Sequence, residues 1–139
     1  MRPTIARVVL DSPLPQLDRL FDYAIPAALQ EAARPGVRVR VPVRAAGRVM
    51  DGWIAELADE SSFAGTLAEL DAVVSPVPVL APDVWALARR AADRAAGVAA
   101  DVLRLAIPKR QARAEQSWLR ADAAARAEDG AVDPGAPVP

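Results

Sequence analysis

The sequence contains no cysteine and no histidine, and these two absences remove much of the chemistry open to a small protein. Without cysteine there is no disulfide, no thiolate zinc site and no thiol nucleophile. Without histidine the commonest general base and the commonest metal ligand are missing. Aromatic residues are scarce at 4%, so a core has to be assembled from Val, Leu, Ile and Ala. Lysine is scarcer still: of 17 basic residues only Lys109 is a lysine. The cations are therefore arginines, which hold phosphates in bidentate fashion or stack on bases. No apolar run is long enough and free enough of charge to span a bilayer. The first residues also lack the basic stretch and long apolar run of a secretory signal. A soluble cytoplasmic protein is expected.

The absences extend to motifs. No Gly-x-x-x-x-Gly-Lys-[Ser/Thr] phosphate loop occurs, and Lys109 follows the expected helices rather than opening one. ATP hydrolysis of the usual motor type is excluded with that loop. Ser12, Ser61, Ser62, Ser75 and Ser117 have no histidine to activate them. The neighbouring carboxylates Asp59 and Glu60 sit in a polar stretch and read as solvated surface charge. The sequence does not describe an enzyme.

What is present suits one small domain with a flexible extension, in 139 residues of net charge −1. That charge is segregated. Arg34 to Arg48 holds five arginines and no acid, whereas Val49 to Ala88 holds seven acids and no base. Local potential then matters more than the total.

The pattern predicts strands over Ile5–Leu10 and Phe21–Ile25, with Pro13 and Pro15 forcing an extended connection between them. Ala27–Ala33 has room for one or two helical turns, and Pro35-Gly36 for a turn. Val37–Arg44 alternates with period two, valines at odd positions and Arg38, Arg40 and Arg44 at even ones. A strand with this pattern turns its valines to the core and its arginines away. Pro42 places it on an edge. Ala45-Ala46-Gly47 forms a hairpin tip, Arg48–Leu57 the return strand, and Gly52 within it marks a bulge or a close backbone approach. Ala58–Thr66 reads as a loop and Leu67–Val74 as a further strand.

Pro82 and Asp83 suit the first turn of a helix. Val84, Leu87, Ala88, Ala91 and Ala95 would form its apolar face, with Gly97 ending it. Val98–Ile107 is a second helix, stopped by Pro108. Gln111–Ala127 is transiently helical at most, and Asp129–Pro139 is expected to be disordered. Trp53 and Trp85 read as core residues, and Trp118 as a docking residue for a neighbouring domain. The fold class is α+β, mainly β: a small barrel-like, OB-like body with a C-terminal helical pair and a tail.

The arginine-bearing strand is the leading binding signal. Arg44 and Arg48 flank the hairpin tip and can converge there on phosphates. The same pattern also serves simply to keep an edge strand from pairing with another sheet, and the pattern alone leaves both readings open. Phe21 and Tyr23 share one face of their strand, where they either stack on a base or enter the core.

Five pieces in order resemble one family. Pro13-Leu14-Pro15 with Phe21-Asp22-Tyr23 and Pro26 is similar to the opening of primosomal protein N′ (PriA), the replication-restart helicase family. Pro35-Gly36-Val37-Arg38-Val39-Arg40-Val41-Pro42 resembles its Gly-x-Arg-Val-x-Val-Pro strand, and Gly52-Trp53-Ile54 its return strand. Ser75-Pro76-Val77-Pro78-Val79-Leu80 and Asp101 to Pro108 continue the likeness, which covers residues 1–108. The resemblance implies a 3′-end DNA-binding domain over 1–108. It leaves 109–139 as a charged, Ala/Pro-rich tail, disordered or the start of a further domain.

Phe21, Asp22 and Tyr23 would then shape a pocket for the terminal nucleotide, Asp22 accepting hydrogen bonds from it. Arg38, Arg40, Arg44 and Arg48 would hold the upstream backbone. Two departures stand out. The family places a glycine soon after Val-Pro, for which Gly47 is the nearest substitute. Asp71 follows Leu70 where the family often has lysine, a charge reversal expected near the pocket.

The expected function is a non-catalytic module that recognises the 3′ end of a nascent strand at stalled or branched forks during replication restart. No cofactor is expected here; ATP and zinc belong to the winged-helix, helicase and zinc-binding parts of the full-length family. Expected partners are DNA with a 3′ end, primosome proteins and single-strand-binding protein, in the cytoplasm at the nucleoid. The alternative is a module that docks restart proteins and has lost DNA end capture.

Overall fold

Alternating valines and a proline-limited edge translate directly into backbone. The computed structural model describes residues 4–63 and 65–130. The chain divides into two units, Met1–Pro108 and Lys109–Pro139.

The first unit is built on five strands: β1 Ile5–Leu10, β2 Leu20–Ala24, β3 Arg38–Val43, β4 Arg48–Ala58 and β5 Ala72–Ser75. They form one antiparallel sheet in the order β2-β1-β4-β3-β5. Val37, Val39, Val41 and Val43 are all buried, while Arg40 and Arg44 are exposed and Arg38 half-buried, as period-two alternation demands. β5 pairs with β3 only at Arg38–Arg40. Val41–Val43 is therefore a free edge on that side, which is where Pro42 is tolerated.

The expected strand over Leu67–Val74 is divided between two partners. Ala24 donates its N–H to the Ala68 carbonyl at 2.9 Å, and Leu70 donates back to Ala24 at 3.0 Å. Only from Ala72 does the chain join β3. This segment draws the two edges of the sheet toward each other through a single parallel bridge, Ala24 to Glu69. The body is thus mainly β and OB-like, with an open rather than a closed sheet.

Of the two features expected at Gly52, the structure shows the close backbone approach there, while the bulge in β4 falls at Ala55. Added to Gly52, a methyl group would lie 2.7 Å from the Val9 carbonyl and 2.9 Å from Val8 Cγ1, so backbone approaches backbone there. The bulge lies where the register with β1 shifts between Arg7–Glu56 and Val8–Ile54.

Adjacent residues of β1 and β4 feed opposite sides of the sheet. Val8 and Ile54 join the larger core with Leu10, Val39 and Val41. Val9 and Trp53 join a second cluster with Leu80, Ala88, Leu103 and Ile107. That second cluster is roofed by α1 Pro82–Ala95 and α2 Ala99–Ala106. Burying a side chain of Leu or Ile size stabilises by about 1.5–3 kcal/mol, so each cluster matters.

The seam of α1 differs from expectation. Ala88 and Ala92 are buried, with Val84 and Trp85 packed beside them, while Leu87 is 65% exposed and Ala95 faces solvent. Trp85 has more apolar surface to bury than Leu87, and its ring sets the rotation of the helix. The left-handed residue ending α1 is Ala96 (φ 53°) rather than Gly97.

Asp18 ties the roof down. Its carboxylate accepts two hydrogen bonds from Arg89, at 2.7 and 2.8 Å, and one from the Ala99 N–H at 3.1 Å. These hydrogen bonds hold Asp18 below the usual carboxylate range, led by that from Arg89. They push Arg89 up in turn.

The second unit contains a helix, α3 Ala112–Gly130, with no buried residue. It covers the stretch read as transiently helical and extends through Asp129. The remainder of the segment expected to be disordered, 131–139, lies outside the described residues.

Candidate nucleic-acid interface

A cavity of about 720 Å³ opens between β2, the tip of the β3–β4 hairpin and the loop after β4, a volume within the usual range for ligand sites. β2 builds its wall by alternation. Asp22 lies directly opposite Arg7 of β1, and Arg7 lies opposite Glu56 of β4, so three charged side chains form a cross-strand row. Arg7 Nη1 donates to Glu56 Oε1 at 3.0 Å, and its Nε lies 3.6 Å from Asp22 Oδ1. The hydrogen bond to Glu56 leads in raising the Arg7 pKa. Asp22 is mostly covered and also accepts a hydrogen bond from the Ser61 hydroxyl.

The two aromatics of β2 take different parts. Tyr23 is buried, and its hydroxyl donates to the Pro42 carbonyl at 2.9 Å. Burial pushes its pKa up to about 12, against the opposing pull of Arg19. The phenol therefore remains a neutral donor that pins the β3 edge to β2. Phe21 is half-buried, and the Arg19 guanidinium sits 4.0 Å from the centre of its ring, a cation–π contact. Arg44 lines the cavity from the hairpin side, is exposed and has no acidic partner among the described residues.

Of the residues singled out in the sequence, Phe21, Asp22, Tyr23 and Arg44 meet at this cavity, whereas Arg38, Arg40, Gly47 and Arg48 do not line it. Arg38 donates to the Pro108 carbonyl, and its Nε is buried without a partner. Arg40 pairs with Asp51 at 3.2 Å. Gly47 is the left-handed residue of the hairpin turn (φ 65°), with open space around it. The arginines within β3, Arg38 and Arg40, thus lie away from the cavity. Alternation sends them away from the valine side, and only the tip of the hairpin borders the cavity.

Asp71 does not line the cavity either. Its N–H donates to the Arg40 carbonyl at 2.9 Å, because the chain has already left β2 for β3.

The sequence reading missed Arg7, Arg19, Phe63 and the serines of the loop. Arg7 becomes visible only through strand register. Arg19 stands two residues before Phe21, the spacing of same-face neighbours, and could have been found. Phe63 was signalled by being an aromatic in an otherwise polar loop.

Among the described residues no cluster of three or more acidic, histidine or cysteine side chains is placed to hold a metal ion. No helix among them is long and apolar enough to cross a membrane. What the cavity offers is an acceptor carboxylate within a partly cationic, aromatic rim, a combination suited to a ligand carrying both hydroxyl donors and phosphates.

The chain is similar to known proteins over most of its length. The chain is 50% identical over 103 residues to the probable replication restart protein PriA of Mycobacterium tuberculosis, covering 74% of this chain and 15% of that protein. It is 46% identical over 106 residues to the protein of the same name from Mycobacterium leprae, covering 76% of this chain and 16% of the relative. The chain thus spans about 15% of the length of the first of these relatives. The family model of the PriA 3′ DNA-binding domain matches residues 7–108, and the chain belongs to that family.

Proposed function

We propose that this chain is a non-catalytic DNA-binding module acting in replication restart, and that the cavity beside β2 receives the 3′-terminal nucleotide of a DNA strand. The observation that carries the reading is the placement of Asp22: a mostly covered carboxylate inside a cavity bordered by Arg19 and Arg44. A carboxylate repels an internal phosphate and accepts from a terminal hydroxyl. Arg19 and Arg44 then hold the upstream backbone, which fixes position without reading sequence. Tyr23 takes no proton in this process; it keeps the cavity wall closed. Helicase activity, ATP and zinc fall to other parts of a longer protein of this family. Primosome proteins and single-strand-binding protein are its further partners, at the nucleoid.

Fluorescence anisotropy with a partial duplex carrying a recessed 3′ end tests this. A free 3′-hydroxyl should bind about tenfold more tightly than a 3′-phosphate, and Asp22→Ala should remove that preference, a hydrogen bond to a charged group being worth about 1.5–3 kcal/mol. Equal binding to both ends, falling only with salt, would mean a generic arginine surface. Absence of binding would leave the docking module as the better reading.

A further inference from the structure

We infer that Phe63, on the loop between β4 and β5, supplies the aromatic face on which the terminal base stacks. This rests on the 3′-end reading of the cavity and adds a residue to it. Both β2 aromatics are engaged: Tyr23 is buried, and Phe21 carries Arg19 over its ring. Phe63 lines the same cavity and is 60% exposed.

Its loop is tied to the acceptor carboxylate by one hydroxyl. Ser61 Oγ donates to Asp22 Oδ2 and accepts from the Phe63 N–H at 3.1 Å. The loop is also shaped around the ring. Gly65 has a φ of 153°, which disfavours a side chain, and a methyl there would lie 3.2 Å from Phe63 Cε1. An exposed aromatic joined in this way to Asp22 is placed to meet the base of the nucleotide whose hydroxyl Asp22 accepts. Every base presents a π face, so the contact tolerates any sequence.

Binding of the full chain to recessed-3′ duplexes is measured with an ordinary or an abasic 3′-terminal nucleotide, both ending in a free hydroxyl. The wild-type chain should bind the abasic end about tenfold more weakly. Phe63→Ala should bind both ends at that weaker level, and Phe63→Trp should restore the difference. Phe63 is exposed, so neither variant should alter folding. A wild-type chain indifferent to the missing base overturns the inference, as does a Phe63→Ala loss of equal size on both ends or no loss at all. A wild-type chain that prefers the hydroxyl over the 3′-phosphate, combined with any of those results, overturns the role of Phe63 alone. One that shows no such preference overturns the end-capture reading, and this inference with it.

Discussion

The helix-roofed side of the sheet and the cavity margin treat charge in opposite ways. Under the roof, Asp18 satisfies Arg89 and the Ala99 N–H together, and Arg104 pairs with Asp11 at 2.6 Å. Among the described residues around the cavity, Arg44 has no acidic partner, Phe63 is exposed, and the Asp22 carboxylate is capped by a serine hydroxyl and a more distant Arg7. The first arrangement lowers the energy of the fold by itself. The second leaves groups whose best partners are not in the chain, as expected of a binding site.

The contrast breaks first at Leu103. This side chain is fully buried in the roof cluster, so Leu103→Ala should destabilise the domain by about 3 kcal/mol through lost burial and the cavity left behind. The urea midpoint should fall accordingly, while DNA affinity of the folded fraction stays unchanged. A variant that kept its midpoint would show that the helical pair is not a structural roof.

Asp18→Asn is a smaller perturbation, costing about 2 kcal/mol at neutral pH through loss of charge-assisted hydrogen bonds. Because the folded pKa of Asp18 lies below its ordinary value of 3.8, the folded state binds fewer protons there. The contribution is therefore fully present above that ordinary value and is lost as pH falls through the lower folded value. Urea titrations at a series of pH values should show wild type and variant converging as pH falls below 3.8 and through the lowered folded value. A constant gap down to the lowest pH would mean that the carboxylate charge is not what Asn removes.

The smallest effects fall on the exposed arginines and sharpen the contrast from the other side. Arg44→Ala should weaken DNA binding several-fold and lower the slope of log affinity against log salt by about 0.7. Arg40→Ala should change it less, since Arg40 already pairs with Asp51. Neither should shift stability by more than about 0.5 kcal/mol, because exposed pairs contribute little. Equal losses from both would return the arginine row of β3 to the interface.

The limits of legibility follow residue by residue. Strand β1 and the alternation of β3 were readable because period-two patterning is a local property with few competing outcomes. So was the close approach at Gly52, since a lone glycine inside a strand has few other uses. The rotation of α1 was not readable, because Val84, Leu87 and Ala91 fit a helical face as well as Trp85 and Ala92 do, and only the neighbouring cluster chooses between them. The division of residues 67–75 between β2 and β3 was likewise hidden, since both halves have the composition of a strand.

The candidate site shows the same boundary. Phe21-Asp22-Tyr23 was identifiable as a segment, and the absence of histidine and cysteine narrowed the chemistry its side chains can carry. The sequence by itself thus determined the mainly β fold, the strand that carries the acceptor and the kind of chemistry available. Only the tertiary structure decided that Arg7 stands opposite Asp22, that Arg38 and Arg40 turn away, and that Phe63 arrives from a distant loop. Periodicity assigns a side chain to a face of its own strand, but which groups share a cavity depends on strand register and chain reversal, and both are set by contacts between residues far apart in the chain.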